Sequence, residues 1–192
     1  MSGRRLVLAA VLLALAQIAF LTWIIAGRAA ILRNGQEVLL KVEPVDPRDL
    51  LRGDYVWLGY EIRNVPVKLV ANAPAGEFMP EAGPIFVRLG RDADGYWRPR
   101  SASLRVAEGQ PPAGEIDLRG TVSSAWRLGP EDSFAVSYGI ERFYVPEGEG
   151  RAIEADMRER PFAILAAVAG DGSAQIKALM DGETRLYEEP LY

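Results

Sequence analysis

Residues 6–26, LVLAAVLLALAQIAFLTWIIA, carry no charge and only two polar side chains, Gln17 and Thr22. As an α-helix the stretch is about 31 Å long, which matches the roughly 30 Å hydrocarbon core of a bilayer. Its twelve Leu, Ile, Val and Phe residues favour insertion by about 4 to 7 kcal/mol. The stretch predicts a transmembrane anchor helix, so the rest of the chain must fold as a domain tethered to lipid.

The competing reading is a cleaved signal peptide, because Arg4 and Arg5 make a basic start and residues 26–30 are mostly small. A signal h-region is shorter, about 7 to 15 residues, and Arg28 interrupts the small-residue region. An uncleaved anchor is the better fit. Charge near the two ends almost balances, Arg4 and Arg5 against Arg28 and Arg33. A short amino tail stays inside readily while a long downstream domain crosses largely regardless of its own charge. The expected arrangement is a single pass through a membrane. Residues 1–5 form a cytoplasmic tail and the carboxyl-terminal domain lies outside, with Trp23 at the far interface.

Setting aside Arg4 and Arg5, the chain has 20 basic and 26 acidic residues, a balance of −6. That balance argues against a nucleic-acid partner, which needs a basic face. The sequence has no Cys and no His, which removes disulfides, thiol chemistry and the commonest zinc ligand and general base. No metal site and no cofactor are expected.

Beyond the anchor, short apolar runs alternate with Gly, Pro and Asp-Gly pairs, the pattern of antiparallel β structure. Strands are expected at 37–43, 55–63, 85–91, 96–106, 115–126, 134–144, 162–168, 174–180 and 183–188, with one short helix at 149–159. The fold class is therefore mainly β, with an N-terminal transmembrane helix. Asp94-Gly95 and Asp171-Gly172 supply the positive φ of tight hairpins. Asp92-Ala93-Asp94-Gly95 also resembles the start of a calcium loop, but the remaining ligands are missing.

Two echoes share nearly one offset. The segment from Asp54 to Ile62 recurs loosely from Asp132 to Ile140, 78 residues on, with Tyr60 matched by Tyr138. Pro84-Ile85-Phe86-Val87 with Asp94-Gly95 returns as Pro161-Phe162-Ala163-Ile164 with Asp171-Gly172, at an offset of 77. Two related β-units, 36–108 and 113–192, would explain both; unrelated hairpins share such alternation and turns too.

The first copy alone carries VDPRDLLRGDYVWLGYEI, residues 45–62. Asp46 before Pro47 and the freedom of Gly53 are turn chemistry. In the strand that follows, Val56, Leu58, Tyr60 and Ile62 share one face and Tyr55, Trp57, Gly59 and Glu61 the other. The first set reads as core, with a partner required for the Tyr60 hydroxyl. The second reads as exposed. Asp46, Arg48, Asp49, Arg52, Asp54, Tyr55, Trp57 and Glu61 make the candidate binding surface, and their alternating charges suit mutual ion pairing better than paired-carboxylate catalysis.

GDYVWLGY at 53–60, preceded by PVDPRD and followed much later by YGIERFYVPEG at 138–148, resembles the signature of the GDYXXLXY protein family. The resemblance implies a bacterial membrane-anchored protein, often encoded beside polytopic membrane proteins; with the topology above, the expected place is the bacterial inner membrane, single-pass, with the carboxyl-terminal domain periplasmic. It brings no catalytic residue. A signal-peptidase-like reading lacks its nucleophile, since no serine occurs between Ser2 and Ser101. The segment 143–150, an aromatic strand end before an acidic, glycine-bracketed stretch, offers a second candidate surface; the simpler account, a strand ending at Pro146 and a helix start with Glu149 suited to the helix dipole, is preferred.

Two functions remain. The first is a non-enzymatic binding or assembly module whose partners are the lipid bilayer and a polytopic membrane protein. The second is a periplasmic carbohydrate-active enzyme or sensor using Asp49, Asp54 or Glu61, with Trp57 stacking on a sugar. It requires a carboxylate of raised pKa in a cleft.

Overall fold

The computed structural model describes residues 3–43, 55–123, 127–146 and 148–189. The apolar stretch is helical, and its helix α1, Gly3–Asn34, runs on for about two turns beyond it. From Leu6 to Ile25 its large apolar side chains are exposed, so α1 is a candidate membrane span rather than a core helix. Burial begins only at Ala29 and Leu32. Gly35 then turns the chain directly into a strand. A Cβ there would sit 2.6 Å from the Ile31 carbonyl oxygen and 3.0 Å from the Val168 amide nitrogen, so glycine alone fits the close approach.

The remainder is mainly β, in the order β1 (Gln36–Glu43), β2 (Tyr55–Trp57), β3 (Gly59–Tyr60), β4 (Asn64–Pro66), β5 (Gly83–Arg91), β6 (Trp97–Leu104), β7 (Glu115–Val122), β8 (Ser133–Ser137), β9 (Arg142–Tyr144), helix α2 (Gly150–Glu159), β10 (Phe162–Val168), β11 (Ala174–Asp181) and β12 (Thr184–Glu188). One five-stranded sheet has the order β12-β11-β10-β1-β3, the other β4-β8-β7-β5-β6, and β2 and β9 form a two-stranded ribbon. All these pairings are antiparallel. Gly95 and Gly172 close the β5–β6 and β10–β11 hairpins at φ +87 and +82, the left-handed conformation their Asp-Gly pairs announce.

The two sheets exchange strands. In the first, β1, with β3 on its outer side, pairs with β10 from far down the chain; in the second, β7 pairs with β5 and β8 with β4, both from early in it. Strands about 78 residues apart take matching places: β1 and β7, β3 and β8, β5 and β10, β6 and β11. Neither 36–108 nor 113–192 forms a sheet of its own.

One apolar core joins the sheets, built from Val38 and Leu40 of β1, Ile85, Val87 and Leu89 of β5, Leu118, Phe134, Ile164 and Leu179. β7 alternates buried and open positions as a one-faced strand must. β10, FAILAAV, is buried at six of its seven positions, because it is central in its sheet and α1 packs against it.

Two expected strands are interrupted. Residues 55–63 are β2, a break at Leu58, β3 and a 3₁₀ turn, Glu61–Arg63. Residues 134–144 divide into β8 and β9 around Gly139, at φ +79, where the Glu141 carboxylate accepts from the Tyr138 amide at 2.5 Å and the Ser137 hydroxyl at 2.9 Å. These breaks let β2 pair with β9 while β3 pairs with β1. Beyond Val122, the expected end of the strand at residue 126 lies outside the described residues.

Candidate functional site

The motif segment buries the side chains that its alternation assigns to the core, while Tyr55 and Trp57, expected to be exposed, are half-buried. Val56, Leu58, Tyr60 and Ile62 are buried. The Tyr60 hydroxyl donates to the carbonyl of Ile140, and the Tyr138 hydroxyl donates to the carbonyl of Ile62 at 2.8 Å. Each tyrosine thus ties itself to the residue two beyond the other. Burial, reinforced by the nearby Glu141 carboxylate, pushes both hydroxyls above the ordinary tyrosine pKa, so they act as donors and not as acids. The shared tyrosines are structural.

On the opposite face, the β2–β9 register places Trp57 across from Arg142 and Tyr55 across from Tyr144. Leu58 N–H donates to the Glu141 carbonyl at 2.8 Å, which fixes the ladder's phase. Both facing pairs are non-hydrogen-bonded ones, whose side chains lie closest. The Arg142 guanidinium lies 5.7 Å from the Tyr55 ring centre and 5.4 Å from that of Trp57, inside cation–π range. Tyr55 and Tyr144 meet edge to face at 6.2 Å. Tyr144 is 69% exposed. Behind this platform, Val56 and Phe143 are buried and α2 packs against β2, so the ribbon is backed by core.

Glu61 does not join the platform. It lies in the 3₁₀ turn, where one oxygen accepts from Arg98 Nε at 2.9 Å and the other lies 3.7 Å from Lys41 Nζ. Arg98 also holds Asp92 at 2.7 Å and Asp94 at 2.8 Å, and Arg100 pairs with Asp92. The arginine hydrogen bonds lower the pKa of Asp92 and Asp94, and the same bonds raise that of Arg98. The carboxylates that resembled a calcium loop are therefore spent on arginines. Glu61 serves as counter-charge to two cations, and Gly59, expected on the open face, is buried.

Of the candidate residues, then, the structure brings Tyr55 and Trp57 together and sends Glu61 elsewhere. Asp46, Arg48, Asp49, Arg52 and Asp54 lie outside the described residues. Tyr144 lies in the aromatic strand end that the sequence offers as a second surface, whereas Arg142, 85 residues from Trp57, carries no local signal of its role. Asp171, whose pKa is lowered by hydrogen bonds from Ser173, belongs to a hairpin turn.

A separate groove of about 850 Å³ lies where the last turns of α1 meet residues 109–114 and the β10–β11 turn. Two of its carboxylates are already engaged, Asp117 by Arg88 and Asp171 by Ser173. Small side chains and backbone supply most of the lining, which marks it as a packing junction. Among the described residues no cluster of acidic side chains could hold a metal.

A candidate membrane span that feeds without a linker into a strand-exchanged β-domain defines the class of protein. Within it, the chain belongs to the GDYXXLXY protein family, whose model matches residues 17–179. That match begins inside the apolar helix and reaches into β11. No curated protein and no solved structure matches the chain.

Proposed function

We propose that this protein is a signal-anchored periplasmic docking module of the bacterial inner membrane, accessory to a polytopic membrane protein. The observation that carries the reading is the passage from α1 through Gly35 alone into β1, which would keep the domain close to the bilayer. Ala29 and Leu32 are packed into the domain, so cleavage near residues 26–30 would cut an intact, anchored helix. A domain joined so directly to its span, with an aromatic ribbon on which Tyr144 is exposed and Tyr55 and Trp57 half-buried, suits a stable partner in the same membrane. The matching strands at an offset near 78 are read as an internal duplication, whose second copy kept the structural tyrosine.

Purification of the full-length tagged protein from native membranes in mild detergent, with mass spectrometry of what accompanies it, tests this. The expected result is a stoichiometric polytopic partner that Tyr55→Ala and Trp57→Ala release. A lone protein, the same in all preparations, would sink the docking role and turn attention to glycan binding around Asp49, Asp54 and Glu61.

A further inference from the structure

Resting on that docking reading, we propose that Arg142 is an anion-recognition residue, and that the β2–β9 ribbon takes an extended segment of a partner protein with one acidic side chain seated on it. A guanidinium has five N–H donors. Among the described residues the contacts of Arg142 are with the Tyr55 and Trp57 rings, and no carboxylate answers its charge. Arg88, Arg98, Arg100, Arg105 and Arg160 are each paired with an acidic side chain; among the described residues Arg63 and Arg91 show no such pair either, and Arg142 differs from them in lying against two aromatic rings. In a chain with a surplus of acids, an arginine placed by two aromatic rings with its donors unspent is set up for a carboxylate from outside.

The backbone beside it points to an extended peptide. β9 pairs with β2 and with no second strand among the described residues. Because Val56 and Phe143 form the hydrogen-bonded pair of the ribbon, the amide and carbonyl groups of Arg142 and Tyr144 face outward along the free edge. A strand added there has its main chain satisfied by β9. Alternate side chains of that strand fall on the platform face, where the exposed Tyr144 supplies apolar contact and Arg142 the charge. A lipid phosphate is the weaker fit, because it would engage the guanidinium and leave the open main-chain edge of β9 unpaired.

The test titrates the full-length chain in detergent micelles, by calorimetry, with a capped hexapeptide of alternating valine and glutamate and with its valine–glutamine counterpart. Saturable binding of the glutamate peptide, weaker by about tenfold or more for the glutamine peptide and for Arg142→Gln, is expected. Absent saturation, equal binding of the two peptides, or indifference to Arg142→Gln overturns the proposal. The two-peptide comparison on the unsubstituted chain stands even if a variant fails to fold. Arg142-dependent binding of inorganic phosphate or phosphatidylglycerol vesicles without binding of the glutamate peptide would also overturn it, in favour of a phosphate site. In the native-membrane purification, a partner released by Trp57→Ala but kept by Arg142→Gln would leave the docking module standing and remove this inference alone.

Discussion

Tyr60 and Tyr138 cross-brace the molecule. Each hydroxyl is buried and each satisfies a carbonyl, at Ile140 and at Ile62, that would otherwise lie unpaired in the core. Replacing either by phenylalanine keeps the ring and strands the carbonyl, at a cost of about 1 to 3 kcal/mol in denaturant unfolding. Equal stability of Tyr60→Phe, Tyr138→Phe and the parent would deny the brace. Alkali is a second probe. An unfolded tyrosine ionises near the ordinary value of about 10, whereas both native hydroxyls are raised above it. The unfolded state therefore loses protons first, and stability present below about pH 10 falls as pH rises beyond it. The double phenylalanine variant should show a shallower alkaline decline than the parent. The need for a partner to the Tyr60 hydroxyl was legible in the sequence from alternation alone; which carbonyl supplied it was not, because that depends on a contact spanning 80 residues.

Among elements, the joint between α1 and β1 matters most. A methyl group at Gly35 would press on backbone atoms of Ile31, Val168 and Ala167, which cannot rotate away as a side chain can. Gly35→Ala should cost about 1 to 3 kcal/mol of domain stability and loosen the seating of Ala29 and Leu32, read as faster amide exchange in β10. An unchanged melting temperature and exchange pattern would mean that the joint tolerates the shift. Most strand positions are legible as short apolar runs bounded by Gly, Pro or Asp-Gly, although β4, Asn64–Pro66, is not. Nor are the breaks. Nothing local in GYEIR says that the chain leaves its strand at Glu61 for a 3₁₀ turn; the competition that decides it is between pairing with β1 and pairing with β9. For the same reason Glu61 was grouped with Trp57, and its true partners Arg98 and Lys41 come from β6 and β1. The platform was partly legible: Tyr55 and Trp57 by alternation, Tyr144 as part of an aromatic strand end, Arg142 only through the register.

At the scale of the whole molecule, sidedness can be read with one thiol, because the sequence contains no cysteine. Val106 is 70% exposed, and a Val106→Cys variant should react with an impermeant maleimide in cells whose outer membrane alone has been opened. Reaction only after lysis would reverse the proposed topology. Strand exchange makes the stronger claim about architecture. The sequence echoes near an offset of 78 suggested two units joined at 109–112, and independent units would survive separation there. In the structure β1 needs β10 and β5 needs β7, so each half alone lacks the neighbours of its central strands and would leave apolar edges open. A chain cut between Gln110 and Pro111 should yield two fragments that are unfolded or aggregated when expressed singly. They should co-purify as one folded complex when expressed together, with the circular dichroism of the intact domain. A second fragment, 111–192, that gave a dispersed, cooperative spectrum by itself would show that its strands can pair without the first, and that the exchange is not what holds the two sheets together.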